Sequence, residues 1–440
     1  MAQKVLQKTK SKSASKKRKP VAAKIVAQAK RQIAKAAKAR QTIRETLANP
    51  ATSPATLINS TPAASQPPSD FESIFSTITE PRIERKRQHA LLDILFISVV
   101  ATLAGAEGPS DIAEFARQKL AWCRRFVPLL NGVPSHDTIG RVIALLKPVE
   151  FQRAFLEWLG SWKESAAANG ELEHIAIDGK TARGSASETR GKPLHLVSAW
   201  ASRLGLTLGQ VAVAEKSNEI TAIPHLLQML ELNGAIVSID AMGCQKEIAS
   251  QIIAGEGHYL LPVKGNQPTL NSALTNFFLL HDERKDWDAV GCSRLHTKDK
   301  SRGRDEDRWY SIAPLPDELK HFANDWLGLC SIGCVRNVIT GGETPICETR
   351  YYISSRPPLV NEFAAVARKH WSIESMHWTL DVVFGEDASR LRAGHLVENF
   401  SFLRKFAISL FKRDTSAGSI KQKRKRAGWN STFLENVLFS

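Results

Sequence analysis

Between Ala235 and Asp240 the chain reads Ala-Ile-Val-Ser-Ile-Asp, an almost unbroken apolar run that stops at a carboxylate. Such a strand leaves no face for water, so it predicts a sheet covered by helices on both sides. An earlier run, Ile175-Ala-Ile-Asp178, has the same form and is followed by Gly179. Further strands are predicted over 194–201, 206–213 and 259–264, and helices over 220–232 and 245–254. A strand hairpin followed by alternating helix and strand gives an α/β fold, a mixed sheet flanked by helices.

Upstream, residues 71–169 read as all-helical, with predicted helices over 91–103, 110–130, 135–146 and 151–168, and Ser110 as an N-cap. The run from Leu91 to Ala106 carries Asp93 and is short for a bilayer, so it predicts a buried helix. Residues 270–350 are less regular and read as an insertion with charged loops and scattered short strands; helices return over 362–384 and 396–413. The expected organisation is a basic tail and Pro-rich linker to residue 70, a helical domain over 71–170, an α/β domain over 171–413, and a basic segment over 414–440.

Charge is distributed unevenly. The 440 residues carry a net +16. Fifteen Lys/Arg face the single acid Glu45 in the first 46 residues, and nine face Asp414 between Arg404 and Arg426. The body between them is mildly acidic. Basic ends on such a body call for a polyanionic partner, nucleic acid first and an anionic membrane surface second. The exposed cations expected to meet phosphates are Lys264, Arg390, Arg392, Lys423, Arg424, Lys425 and Arg426, which would position a backbone without reading bases. Six cysteines show no zinc-ligand spacing, and with no apolar secretory leader they are expected as reduced thiols of a cytoplasmic protein.

Asp178 and Asp240 stand out among 44 acids because each ends an apolar strand and is followed by small residues. Carboxylates there project from a rigid sheet edge, where open α/β sheets place ligands; helix capping is the bland alternative. Cleaving a phosphodiester requires an activated water and stabilisation of the departing oxygen. Two Mg2+ ions held by hard oxygen ligands supply both, which calls for a third carboxylate. It is sought in the predicted helix from Arg368 to Asp381, where His370, Glu374, His377 and Asp381 form one polar stripe. A solvated face explains such a stripe equally well. A zinc or iron site of His370, Glu374 and His377 is a third reading.

The strings HIAIDGKTARGS, LHLVSAW, IVSIDAMGCQKEIA, LPVKGNQ and HWSIESMHWTLDVVFGEDASRLR, with ILFISVVATLAGAEGPSDIAEFARQK and GVPSHDTIGRV upstream, together resemble the H-repeat-associated, ISAs-type insertion-sequence DDE transposases. The resemblance runs from about Phe71 to Phe439. It implies an RNase H-like fold with an insertion before the final acid, and Asp178, Asp240 and Glu374 as the three catalytic, metal-holding carboxylates. It also implies Mg2+ as cofactor with Mn2+ able to replace it, double-stranded element ends and target DNA as partners, and a homodimer on DNA associated with the nucleoid. Related DDE transposases carry Arg four residues before the Glu and Lys seven after it. This chain has His370 and Asp381 there, and Ser301-Arg302-Gly303-Arg304 where the family commonly has His-Gly-Arg.

Overall fold

The computed structural model describes residues 69–159, 172–186, 191–213, 218–301, 304–340 and 345–439. The basic tail, most of the linker, and Arg302 and Gly303 lie outside these residues, as does the second half of the helix expected over 151–168. Within them the helical region comprises α1 (Ser69–Phe75), α2 (Leu91–Ala104), α3 (Pro109–Gln118), α4 (Leu120–Cys123), α5 (His136–Leu145) and α6 (Pro148–Trp158). Helix α2 is buried from Asp93 to Leu103, as its composition requires. The helix expected from Ser110 instead begins at Pro109, with Gly108 as its N-cap, and breaks at Lys119. Proline suits a first helical position because its missing N–H has no helical partner to lose.

The strands are β1 (Glu173–Ala182), β2 (Leu194–Ala201), β3 (Leu206–Ala212), β4 (Ala235–Ile239), β5 (His258–Val263), β6 (Ser293–Ser301), β7 (Arg304–Pro314), β8 (Ser331–Thr340) and β9 (Ile346–Ser354). They form a single mixed sheet in the order β3-β2-β1-β4-β5-β9-β8-β7-β6. β1, β4 and β5 run parallel, β1 to β3 form an antiparallel meander, and β9 returns antiparallel to β5. This is an RNase H-like core. All five β4 side chains are buried, as the opening run demanded. Helices α7 (Glu219–Gln228) and α8 (Lys246–Ala254) make the crossovers that parallel strands require.

The insertion is more regular than its sequence suggests. It supplies α9 (Pro268–Arg284) and then strands that extend the same sheet through β9. Those strands are rich in Lys, Arg, Asp and Glu at half-exposed positions, so cross-strand charge pairs replace the apolar alternation by which strands are recognised. Asp307 takes His296 at 2.8 Å, and Arg308 takes Asp299 at 2.5 Å.

Beyond the insertion lie α10 (Val360–Lys369), α11 (Ser372–Phe384), α12 (Leu396–Arg413), α13 (Ile420–Trp429) and α14 (Ser431–Phe439). Helix α12 is buried over almost its whole length and shares one core with the sheet and the helical region. The C-terminal helices fold back onto α2, and this corrects two expectations. Arg424 is buried and donates to the carbonyls of Gly105 and Ala106 at 2.8 and 3.0 Å, satisfying groups that the end of α2 leaves unpaired. Lys423 is buried against Asp414 at 3.0 Å and donates to the Phe411 carbonyl at 3.1 Å, closing α12. Neither is free to hold a phosphate. Lys421 and Lys425 remain exposed, while Arg426 is half-buried and donates to Ser416 and Ala417. Among the described residues no single helix is long and apolar enough to cross a membrane.

Candidate active site

The parallel pairing of β1 with β4 ends at Ile177 opposite Ile239. Asp178 and Asp240 each stand one residue further on, so they are neighbours at the carboxyl end of the central strands. Asp178 does not end its strand, contrary to expectation. β1 continues to Ala182 because β2 still pairs with it, Asp178 lying opposite Ser198. Asp240 does leave its strand and caps a short 3-10 turn, accepting from the Gly243 N–H at 3.1 Å. The loop after β5 braces that turn: Asn266 donates to the Ala241 carbonyl at 2.7 Å and Gln267 to that of Cys244 at 2.9 Å. This is the structural use of the KGNQ string.

The expected stripe faces these two acids, although not from one continuous helix. The chain tightens at His370 and Trp371 between α10 and α11, where the Ile373 N–H bonds the His370 carbonyl three residues back. His377 Nδ1 lies 3.4 Å from Asp178, and Asp381 lies 2.7 Å from the Lys180 ammonium. His370 Nδ1 contacts Ser238 at 2.8 Å, and Ser238 contacts His174 Nε2 at 2.7 Å, forming a buried chain across β4. Burial pushes both imidazoles below their ordinary pKa, His174 to about 3. Glu374 shares a cavity of about 140 Å3 with Asp240, Lys264, Arg350 and Trp371. The Arg350 guanidinium sits 4.5 Å from the centre of the Trp371 ring.

Electrostatics bind the acids into one group. Partial burial and then the charge of Asp178 raise the Glu374 pKa, against the pull of Arg350. Burial raises Asp240, with Glu219 and Asp178 adding to the rise and the Gly243 N–H opposing it. Like charges crowded in this way disfavour ionisation, and a divalent cation would relieve the repulsion. Among the described residues no three His, Cys, Asp or Glu side chains stand close enough to hold one ion together. The donor set is all-carboxylate oxygen, which suits Mg2+, and in a two-ion arrangement each ion needs only a shared carboxylate plus one other. The residues therefore suit Mg2+ by their donor chemistry. They fit the His370–Glu374–His377 alternative less well, because His370 is turned to Ser238.

Two features escaped the sequence. The first is Glu219 at the start of α7, which accepts from His195 Nε2 at 2.6 Å, while His195 Nδ1 meets Thr181 at 2.8 Å. A Cβ at Gly179 would run into the Glu219 carboxylate and lie 2.5 Å from the His195 ring, so any larger residue beside Asp178 would force this pair to shift. Gly179→Ala is expected to lower stability by about 1–3 kcal/mol through overpacking, read as a shift of the denaturant midpoint; an unchanged midpoint would contradict the contact. The second is Lys180, buried between Asp381, Asp387 at 3.1 Å and Glu386 at 3.7 Å. Burial works against its charge, but the three acids outweigh it and the pKa is raised. Of the expected phosphate contacts, Lys264 is exposed at the cavity rim, and Arg390 and Arg392 are exposed after a turn whose acids are held by Lys180, Arg183 and Arg404.

Residues 169–410 match the family described as "Transposase DDE domain", and residues 72–159 match "DDE_Tnp_1-associated". The chain is 40% identical over 372 residues to "Putative transposase YncI" of Escherichia coli O157:H7, covering 83% of this chain and 93% of that protein. It is 38% identical over 371 residues to "H repeat-associated putative transposase YhhI" of Escherichia coli strain K12, covering 82% and 96%. A solved piggyBac transposase synaptic complex with hairpin DNA aligns over 84% of this chain and 81% of its own, at 10% identity and a TM-score of 0.36. The chain belongs to the DDE-domain transposases, in their H-repeat-associated group.

Proposed function

We propose that this protein cleaves DNA at the ends of an insertion element and joins the freed 3′-OH to target DNA, using Asp178, Asp240 and Glu374 as catalytic carboxylates. The observation carrying this is the register of β1 and β4, which sets Asp178 beside Asp240 at one sheet edge with the α11 stripe facing them. Family membership supports it. The charge of Asp178 acts on both other acids, so the three carboxylates would together hold the metal. Bound by these carboxylates, Mg2+ or Mn2+ supplies an activated water and neutralises charge on the departing oxygen.

The chain's own groups do the positioning. His377 steadies Asp178, the Gly243 N–H fixes Asp240, and the chain from His174 through Ser238 to His370 fixes the turn from which Glu374 projects. Lys264, exposed on the rim, meets the phosphate next to the scissile bond. The N-terminal domain expected over 71–170 engages the DNA end, and each end needs its own set of acids, so the working form on DNA is a homodimer.

The test incubates purified protein with supercoiled plasmid and with a duplex carrying an exposed 3′-OH end, in Mg2+, Mn2+ or EDTA. Metal-dependent nicking together with joining of the precut end is expected. Nicking without joining would make the protein a nuclease, and binding without either would make it a catalytically silent DNA-binding relic; both outcomes overturn the proposal.

A further inference from the structure

The helical region holds a cleft of about 540 Å3 between the turn that follows Glu80 and helix α5. Its lining includes Arg82, Arg85, Lys86 and Arg141 with His89, and no carboxylate is among the lining residues. Arg85, Lys86 and Arg141 are exposed, and none of them forms an ion pair among the described residues. Ile83, also lining the cleft, is 53% exposed, so an apolar wall stands beside the charges.

Two buried nitrogens belong to residues of the same lining. Arg82 is 8% exposed, and its guanidinium is oriented by Glu80, which accepts from Nε at 2.8 Å and from Nη2 at 2.7 Å. That leaves Nη1 buried with no partner, and His89 Nδ1, in the same cleft, is likewise buried and unpaired. Three exposed cations in a cleft with no carboxylate in its lining mark a place suited to a polyanion.

We infer that this cleft binds the sugar-phosphate backbone of duplex DNA through the exposed Arg85, Lys86 and Arg141, with the Arg82–Glu80 pair holding the turn that carries Arg85 and Lys86. None of these residues lines the cavity of Asp240 and Glu374. The cleft is therefore a separate anchor, which would hold the duplex while its end lies among the acids. The inference rests on DNA being the substrate.

The test compares the full-length protein with Arg85→Ala/Arg141→Ala in EDTA, measuring affinity for a duplex of arbitrary sequence across a salt series. Both positions are exposed, so thermal unfolding should be unchanged. Affinity is expected to fall at least about ten-fold near physiological salt, and the log–log salt slope to shrink by about two, one for each lost phosphate contact. Unchanged affinity and slope would overturn the inference. So would a loss of binding to anionic lipid vesicles with DNA binding intact, which would make the occupant a membrane. EDTA removes the chemistry from this assay, so a protein that binds DNA through the cleft but never cuts it would sink the catalytic proposal alone.

Discussion

Asp178→Asn is expected to reduce metal-dependent nicking of supercoiled DNA by at least about a thousand-fold, a barrier increase of about 4 kcal/mol. Asparagine keeps the shape of the side chain and removes its charge. Duplex binding in EDTA should stay within about two-fold, because no basic residue changes and the electrostatic part of affinity comes from Lys and Arg. Stability should not fall, since the charge of Asp178 raises the pKa of both Asp240 and Glu374 and its removal relieves that repulsion. Retained nicking would remove Asp178 from the mechanism. A parallel loss of binding would show that the substitution had disturbed more than the chemistry.

Glu386→Gln should cost about 3–5 kcal/mol of stability, the usual penalty for leaving buried charge uncompensated. Glu386 is 3% exposed and lies 3.7 Å from both Lys180 and Arg404, each of them buried. Next to them Lys405 is fully buried, its ammonium held by Ser198 at 2.8 Å and Gln210 at 2.7 Å. Burial pulls the Lys405 pKa down to about 8, and the charge of Glu386 opposes that fall. Without Glu386 the remaining acids are Asp381 and Asp387 beside Lys180, with Glu107 acting on Arg404 and Glu398 on Lys405. Guanidinium unfolding monitored by circular dichroism measures the loss. Adding Lys405→Met should recover part of it, because one buried cation is then gone. A loss below about 1 kcal/mol would mean that solvent or neighbouring dipoles already neutralise the cluster. The cluster also ties β1 to α11, so nicking should weaken modestly in the same variant.

The two predictions separate what the sequence displays from what it hides. The central strands were legible because burial on both faces leaves a local mark: an apolar run is apolar wherever its partners lie. Helix α12 was legible within its bounds, 396–413, for the same reason. Asp178, Asp240 and Glu374 could be singled out by pattern and resemblance, because small residues and a polar stripe surround them in the chain itself. The insertion was legible only as scattered short strands, since cross-strand ion pairs erase the alternation that marks a strand's length, and only pairing with β5 through β9 brings them into one sheet.

The sequence by itself determined the α/β core, the buried α2 and the acids worth watching, because each depends on the order of residues along a few turns or one strand. Only the tertiary structure decided which cations are free. Lys423 and Arg424 sit in the same basic string as Lys425, yet they close helix ends while Lys425 faces solvent. Charge is a property of a residue, but its availability depends on which carbonyls and carboxylates the fold brings within about 3 Å, and those partners lie far away in the chain.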